Sequence, residues 1–133
     1  LRINDGDIWS EIFSAEINLE NTAPSVNITS MVEEPNSLSD LNISIETSDT
    51  DGHSVTTTII WEKNGFLVAG LDGSLSVSSS LLAPGAIWSV TVTPNDGIEQ
   101  GTPASMSFTI YFIILMLEKQ FHRANMTMVL STI

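Results

Sequence analysis

The chain has 133 residues, of which 16 are acidic and four are basic, so its formal charge is −12 at neutral pH. This balance argues against nucleic acid as a partner, because binding it requires a basic stripe that four bases cannot supply. An anionic membrane surface is disfavoured for the same reason. An acidic surface instead attracts divalent cations.

The chain contains no cysteine. Small secreted animal domains usually carry disulfides, so this composition indicates an exported prokaryotic protein whose core is held by burial alone. The one long apolar run, Phe108 to Leu117, is about half the length of a membrane-spanning helix. We therefore expect no membrane insertion, and a location in the extracellular space or on the cell surface of a prokaryote.

The first 19 residues are similar to a later part of the same chain. Leu1–Leu19 aligns without a gap with Val92–Ile110, and its alternating apolar residues stay in phase. Asn4-Asp5-Gly6 falls on Asn95-Asp96-Gly97 in this alignment. The match predicts a repeat of about 90 residues. We therefore interpret residues 1–20 as the last strand and loop of a preceding repeat, and residues 21–110 as one complete repeat.

The complete repeat opens with the linker Asn21-Thr22-Ala23-Pro24, in which the proline favours an extended chain. Four strand-like runs follow, and alternation of apolar and polar residues identifies their inward faces. Asn64-Gly65 separates the third from the fourth and is a pair that two-residue hairpin turns prefer, because both positions need positive φ. The predicted inward residues are Val26 and Ile28, then Leu41, Ile43 and Ile45, then Val55, Thr57, Ile59 and Trp61, with 66–69 as the short fourth strand.

Three further strands follow turn signals at Asp72-Gly73, Pro84-Gly85 and Asn95-Asp96-Gly97. Trp88 in the sixth strand and Trp61 in the third fall on inward faces, which predicts core residues rather than a sugar-stacking platform. Seven short alternating strands in about 90 residues are typical of an Ig-like antiparallel β-sandwich, so the predicted class is all-β. The predicted inward residues are Leu75 and Val77, then Trp88, Val90 and Val92, then Met106, Phe108 and Ile110.

Residues 111–133 break the pattern. A second linker is expected after Ile110, but the chain continues YFIILMLEKQFHRANMTMVLSTI, which has a charge of +1 and three of the five Met. We interpret this segment as an atypical tail, either a disordered terminal extension or the product of a reading-frame error near Tyr111. An amphipathic helix within residues 115–130 is a further option.

Three segments of the repeat occur in a characteristic order: NTAPSV, SDTDGHSVTTTIIWEKNG and WSVTVTPNDG. They resemble the Ig-like and cadherin-like repeats of large bacterial and archaeal surface and secreted proteins. Those repeats often begin NxAP, carry a D-x-DG loop before a strand ending W-x-x-NG, and close with W-x-V-x-V-x-PNDG. The resemblance covers residues 21–110 and implies a stalk, spacer or adhesive module. The sequence departs from it at His53, where the family loop often has a further Asp.

Asp49-Thr50-Asp51-Gly52 is the strongest candidate site. Calcium prefers several hard oxygen ligands, and two acids separated by one residue in a tight loop supply two of them. In an Ig-like sandwich this loop lies at the same end as the one between strands six and seven, which holds Asn95 and Asp96. We therefore predict a calcium site formed by Asp49, Asp51, Asn95 and Asp96 next to the linker, where cadherin-like repeats hold calcium between neighbours. The alternative is that these residues are present because they form turns.

No catalytic constellation is visible in the sequence. His53 lies in a polar loop and His122 in the tail, and neither belongs to a triad. No G-x-S-x-G nucleophile elbow occurs, and the paired carboxylates Glu33-Glu34 lie at a predicted turn without signs of a cleft. The sequence therefore predicts a protein without enzymatic activity.

These patterns together predict a non-enzymatic extracellular structural or adhesive repeat, stiffened by calcium. Its expected partners are neighbouring repeats of the same chain and a cell-surface glycan or protein. The alternative is a carbohydrate- or ligand-binding accessory module of a secreted hydrolase, with Trp9 and Phe66 as its candidate contact residues. Many copies of the repeat in the adjoining coding sequence would favour the first, and a catalytic domain the second.

Overall fold

A computed structural model describes Gly6 and residues 14–113 of the chain. Two short 3₁₀ turns, Ala69–Leu71 and Ser79–Leu81, lie on either side of the fifth strand. The strands in chain order are β1 (Ser25–Ser30), β2 (Leu41–Ser48), β3 (Thr56–Lys63), β4 (Phe66–Leu67), β5 (Ser76–Val77), β6 (Ile87–Asn95) and β7 (Ala104–Thr109).

The strands form two antiparallel sheets. One sheet has the order β1-β2-β5 and the other the order β4-β3-β6-β7. The longest pairing joins β3 to β6 along the centre of the larger sheet, from Thr56 opposite Asn95 to Lys63 opposite Trp88. The predicted all-β sandwich of seven strands is confirmed.

The core lies between the sheets and contains most of the inward residues that alternation predicted, although Val26, Ile45 and Met106 are only partly buried. Leu82 and Ala86, which alternation did not predict, also belong to it. Trp61 and Trp88 are 0% and 1% exposed, and their rings meet edge to face with centroids 6.4 Å apart. Burying each indole contributes a few kcal/mol, which matters in a domain without a disulfide. Both tryptophans are therefore core residues, as predicted. The other buried apolar residues are Ile28, Leu41, Ile43, Ile59, Val77, Leu82, Ala86, Val90, Val92, Phe108 and Ile110.

The two short strands differ from their predictions. The run predicted as strand over 66–69 ends at Leu67, because Ala69 already begins a 3₁₀ turn. Leu75 was predicted to point inward but is 44% exposed. Its carbonyl oxygen accepts a hydrogen bond from the Ile43 N–H at 3.0 Å, so its backbone pairs with β2 although its side chain faces solvent.

The hairpin between β3 and β4 has the predicted conformation. Asn64 and Gly65 both have positive φ, at 50° and 82°. The Asn64 side chain adds a further constraint, because its Oδ1 accepts a hydrogen bond from the Ile87 N–H at 2.9 Å. The turn is therefore tied to the start of β6 as well as to its own strands.

The chain enters and leaves the sandwich at opposite ends. The linker pole comprises the linker 21–24, the β2–β3 loop 49–55 and the β6–β7 loop 96–103. At the opposite pole β7 ends beside the start of β6, since Thr109 pairs with Ile87. There the Tyr111 N–H donates to the Pro35 carbonyl at 2.8 Å. The first residue assigned to the tail is therefore still attached to the sandwich.

Several sequence predictions lie outside the described residues. They concern Trp9, the first copy of the Asn-Asp-Gly turn, and the tail from residue 114 onward. Residues 14–20, which the repeat alignment places in a strand, are exposed and have no regular secondary structure. Within the part of the chain that is described, no helix has the length and apolar character to cross a bilayer.

Candidate metal centre

The linker makes a hydrogen bond to each of the two loops at the linker pole. The Asn21 side-chain amide donates to Asp96 Oδ2 at 2.8 Å. The backbone N–H of the next residue, Thr22, donates to Asp51 Oδ2 at 2.6 Å. Two loops more than 40 residues apart in sequence are thus joined through two successive linker residues.

A glycine fixes the position of the linker proline. A Cβ atom at Gly101 would collide with the Pro24 carbonyl group and would lie 2.9 Å from Pro94 Cγ. The Gly101 N–H donates to the Pro94 carbonyl at 2.9 Å, which holds Gly101 beside the end of β6. The linker therefore packs against the β6–β7 loop, and only glycine allows this approach. The sequence carried no signal for this contact, because it depends on the tertiary arrangement.

Asp49 is the buried centre of the β2–β3 loop, and its side chain is 2% exposed. Its Oδ1 accepts the backbone N–H groups of Asp51 at 2.9 Å and His53 at 3.0 Å, an Asx-type turn. Gly52, with φ 79°, completes this turn. Asp49 Oδ2, in contrast, is buried without a hydrogen-bond partner among the described residues. A buried carboxylate oxygen in this state is unfavourable unless a cation compensates it.

Asp49, Asp51 and His53 form a possible metal-binding group. One ligand atom from each residue lies within 4.8 Å of the other two. His53 Nδ1 is 3.7 Å from Asp49 Oδ1, and the imidazole is 41% exposed. His53 was not among the ligands predicted from the sequence. Its spacing, two residues after Asp51 in the same turn, was the available signal.

A second buried oxygen at this pole also lacks a partner in the part of the chain that is described. It is Asn21 Oδ1, in the side chain whose amide nitrogen donates to Asp96. Such buried acceptors without donors are uncommon in folded proteins. The linker pole therefore carries two oxygens that a cation or water could satisfy.

Asp96 has a different role, because both of its oxygens are engaged. Oδ1 accepts the N–H groups of Ile98 at 2.7 Å and Glu99 at 2.6 Å, and Oδ2 accepts the Asn21 amide. The Glu99 N–H is the largest cause that lowers the pKa of Asp96 from 3.8 to about 2, followed by Asn21. The Ile98 N–H and the charge of His53 lower this pKa further, against partial desolvation. Asp96 is therefore ionised at neutral pH.

The four predicted ligands thus divide into two groups. Asp49 and Asp51 lie together with His53, whereas Asp96 is connected to the linker through Asn21. Asn95 uses Oδ1 to accept the Gly97 N–H at 2.7 Å, which closes its own turn. The first group has an open carboxylate oxygen, and the second is occupied with holding backbone in place.

A cavity of about 520 Å³ lies at the opposite pole. Its lining includes Trp88 and Lys63, whose amino nitrogen is 5.8 Å from the Trp88 ring centroid. Trp88 Nε1 is buried without an acceptor among the described residues, whereas Trp61 Nε1 donates to the Ser74 carbonyl at 2.8 Å. Among the described residues of this lining, Lys63 is the only charged one, so these residues bring no acid–base pair together.

Comparison of the chain with protein-family models, with curated proteins and with solved structures finds no match in any of the three. The fold therefore defines the class, a seven-stranded all-β sandwich. The resemblance to repeats of surface proteins enters only as a proposal.

Proposed function

We propose that the chain is a non-enzymatic structural repeat of an extracellular or cell-surface protein, in the manner of Ig-like and cadherin-like repeats, with a linker held by Ca²⁺. One observation carries the proposal. The linker is hydrogen-bonded to two loops at the linker pole, and in one of these loops the buried Asp49 carboxylate has an oxygen without a donor among the described residues.

The chemistry of the linker pole suits calcium. Ca²⁺ takes six to eight oxygen ligands at about 2.3–2.6 Å and tolerates irregular geometry. Asp49 Oδ2, the Asp51 carboxylate and Asn21 Oδ1 are hard oxygen donors at this pole. The chain's net charge of −12 also raises the local concentration of divalent cations.

A cation at this position would act on the linker. Ordering each linker residue costs about 1–2 kcal/mol of backbone entropy. The Asn21 and Thr22 hydrogen bonds to the loops offset part of that cost. An ion bound by Asp49 and Asp51, and also by Asn21 Oδ1, would join the loop to the linker, so that the linker keeps one direction relative to the sandwich.

The points at which the chain enters and leaves the sandwich support a role in an array. The chain enters beside Pro24 and leaves beside Tyr111, at opposite poles of one sandwich. Units of this kind can be joined end to end, with each one in contact only with its neighbours. Such an arrangement supports a role as a spacer or stalk whose stiffness is set at the linkers.

The proposal is tested by thermal melting of the full chain in millimolar Ca²⁺ and in chelator. An ion that binds only the folded state raises the melting midpoint, here by several degrees. Asp49→Asn keeps an acceptor for the two turn N–H groups but removes the charge, and should abolish the rise. Asp72→Asn, at an exposed Asp-Gly turn elsewhere, is the matched control and should keep it. An unchanged midpoint in the wild-type chain, or an equal rise in Asp49→Asn, would contradict the proposal.

One observation favours the alternative, a carbohydrate-binding module. Phe66 on the short strand β4 is 77% exposed, in a position to stack on a sugar ring. Trp61 and Trp88 cannot contribute to such a surface, because both are buried. Binding on a glycan array that is lost in Phe66→Ala would support this function in place of the structural one.

A further inference from the structure

His53 adds a nitrogen atom to a group of oxygen ligands. Its Nδ1 lies 3.7 Å from Asp49 Oδ1, and it belongs with Asp49 and Asp51 to the group whose ligand atoms lie within 4.8 Å of one another. Ca²⁺ selects oxygen ligands. An imidazole nitrogen instead favours first-row transition ions such as Zn²⁺.

We propose that this site also binds a divalent transition ion of the Zn²⁺ type, with the His53 imidazole as its nitrogen ligand beside the carboxylates of Asp49 and Asp51. The proposal shares its central residue, Asp49, with the proposed calcium function. It differs in depending on His53, which a calcium site does not require.

The three side chains are placed to close around such an ion. Bonds of about 2.0–2.2 Å around Zn²⁺ put neighbouring ligand atoms roughly 3.4 Å apart. The present separations are at most 4.8 Å, so they exceed this value by no more than about 1.4 Å. His53 is exposed and can move, and Asp51 is exposed with its Oδ2 bonded to the Thr22 N–H, whereas Asp49 is fixed by two backbone N–H groups. The site thus has one rigid buried ligand and two exposed ones.

The hydrogen bonds of Asp49 leave the required atom open. Its Oδ1 is engaged by the turn, and its buried Oδ2 has no partner among the described residues. Three protein ligands with the fourth position left to water is a common arrangement for Zn²⁺. The alternative is a surface ion pair between His53 and Asp49, which contributes at most about 1 kcal/mol to stability and requires no metal.

The test uses the full chain, with Zn²⁺ and Ca²⁺ titrated separately by calorimetry at pH 8, where a histidine is ordinarily neutral. His53→Gln replaces the nitrogen with a neutral group of similar size. His122→Ala removes the only other histidine, in the part of the chain that is not described. We expect Zn²⁺ affinity to fall by about tenfold or more in His53→Gln, since even the loss of an outer-shell partner costs that much. His122→Ala should bind Zn²⁺ like the wild-type chain, and the ¹⁵N resonance of His53 Nδ1 should shift on Zn²⁺ addition.

The outcomes separate this inference from the calcium proposal. Zn²⁺ binding that depends on His53 in a chain that does not bind Ca²⁺ would overturn the calcium proposal alone. Ca²⁺ binding together with Zn²⁺ affinity that is absent, unchanged in His53→Gln, or lost in His122→Ala would overturn the inference alone. Zn²⁺ binding retained in Asp49→Asn would also overturn it, because the buried carboxylate is its fixed ligand.

Discussion

The two acidic turns at the linker pole are built alike but are completed differently. In each, the Oδ1 atom of one aspartate accepts two backbone N–H groups, those of Asp51 and His53 for Asp49, and those of Ile98 and Glu99 for Asp96. The difference is at Oδ2. Asp96 Oδ2 accepts the Asn21 amide, whereas Asp49 Oδ2 has no partner in the described part of the chain.

This difference shows how one local structure can serve two purposes. An aspartate that caps its own turn spends one oxygen on the backbone, and its surroundings determine the use of the other. At Asp96 the linker takes the second oxygen, so the residue fixes the linker to the sandwich. At Asp49 the second oxygen has no partner among the described residues, and it is the atom that would bind the proposed cation. Under that proposal, the difference between a structural aspartate and a ligand depends on the partner of a single atom.

The largest expected effect on the free energy of unfolding comes from a substitution that displaces the linker. Gly101→Ala places a methyl group against the Pro24 carbonyl and the Pro94 ring, and overpacking of this kind costs about 1–3 kcal/mol. It should also break the Asn21 contact, so that Asp96 comes to resemble Asp49 with one oxygen unpaired. Urea denaturation in chelator measures the free energy of unfolding. Gly70→Ala, where an added Cβ meets nothing within 4 Å, is the control, and an equal loss in both variants would contradict the proposed contact.

A smaller effect on stability is expected at low pH, where Asp96 becomes protonated. The folded-state pKa of Asp96 is lowered from 3.8 to about 2, chiefly by the Glu99 N–H. The folded chain therefore binds this proton more weakly than the unfolded chain does. The stability that ionised Asp96 contributes should be fully present above about pH 4 and should be lost as the pH falls toward 2.

Asp96→Asn isolates that contribution. Urea denaturation in chelator across this pH range should show that the variant loses less free energy of unfolding at low pH than the wild-type chain does. A ¹³C titration of the Asp96 carboxyl should have its midpoint near 2. A midpoint at the ordinary value would show that the turn and Asn21 do not favour the ionised form.

The smallest expected effect is that of Asp49→Asn without metal. The asparagine oxygen can still accept the two turn N–H groups, and the substitution removes a buried carboxylate whose Oδ2 has no partner among the described residues. In chelator the melting midpoint should stay within about 3 °C of the wild-type value, or rise. A fall of roughly 10 °C would show that Asp49, like Asp96, is primarily structural.

The sequence predicted the long strands well because their burial is periodic. Alternation placed Ile59, Trp61 and Val90 correctly, and Asn64-Gly65 identified the tight hairpin. Alternation gave the wrong result for Leu75 and for the extent of β4. In these segments the strands have only two residues and adjoin 3₁₀ turns, so the alternation of apolar and polar residues is too short to detect. Short segments take their structure from neighbours that are distant in sequence.

The candidate site was predictable only in part for a related reason. Fold topology and residue type brought Asp49, Asp51 and Asp96 to one pole. Which carboxylate oxygen lacks a donor depends on where the linker lies, and this in turn depends on the close approach of Gly101 to Pro24. His53 was not predicted as a ligand, because the repeats that the sequence resembles often have an acid at this position, and a histidine there indicated the loss of a ligand.

The opposite placement of entry and exit has a mechanical consequence. β1 starts at the linker pole beside the end of β2, with Ser25 opposite Ser48, and β7 ends at the far pole beside the start of β6. Tension applied between Pro24 and Tyr111 would run parallel to both terminal strands. Each would be pulled in shear against its neighbour, so its hydrogen bonds would carry the load together instead of opening one at a time from an end.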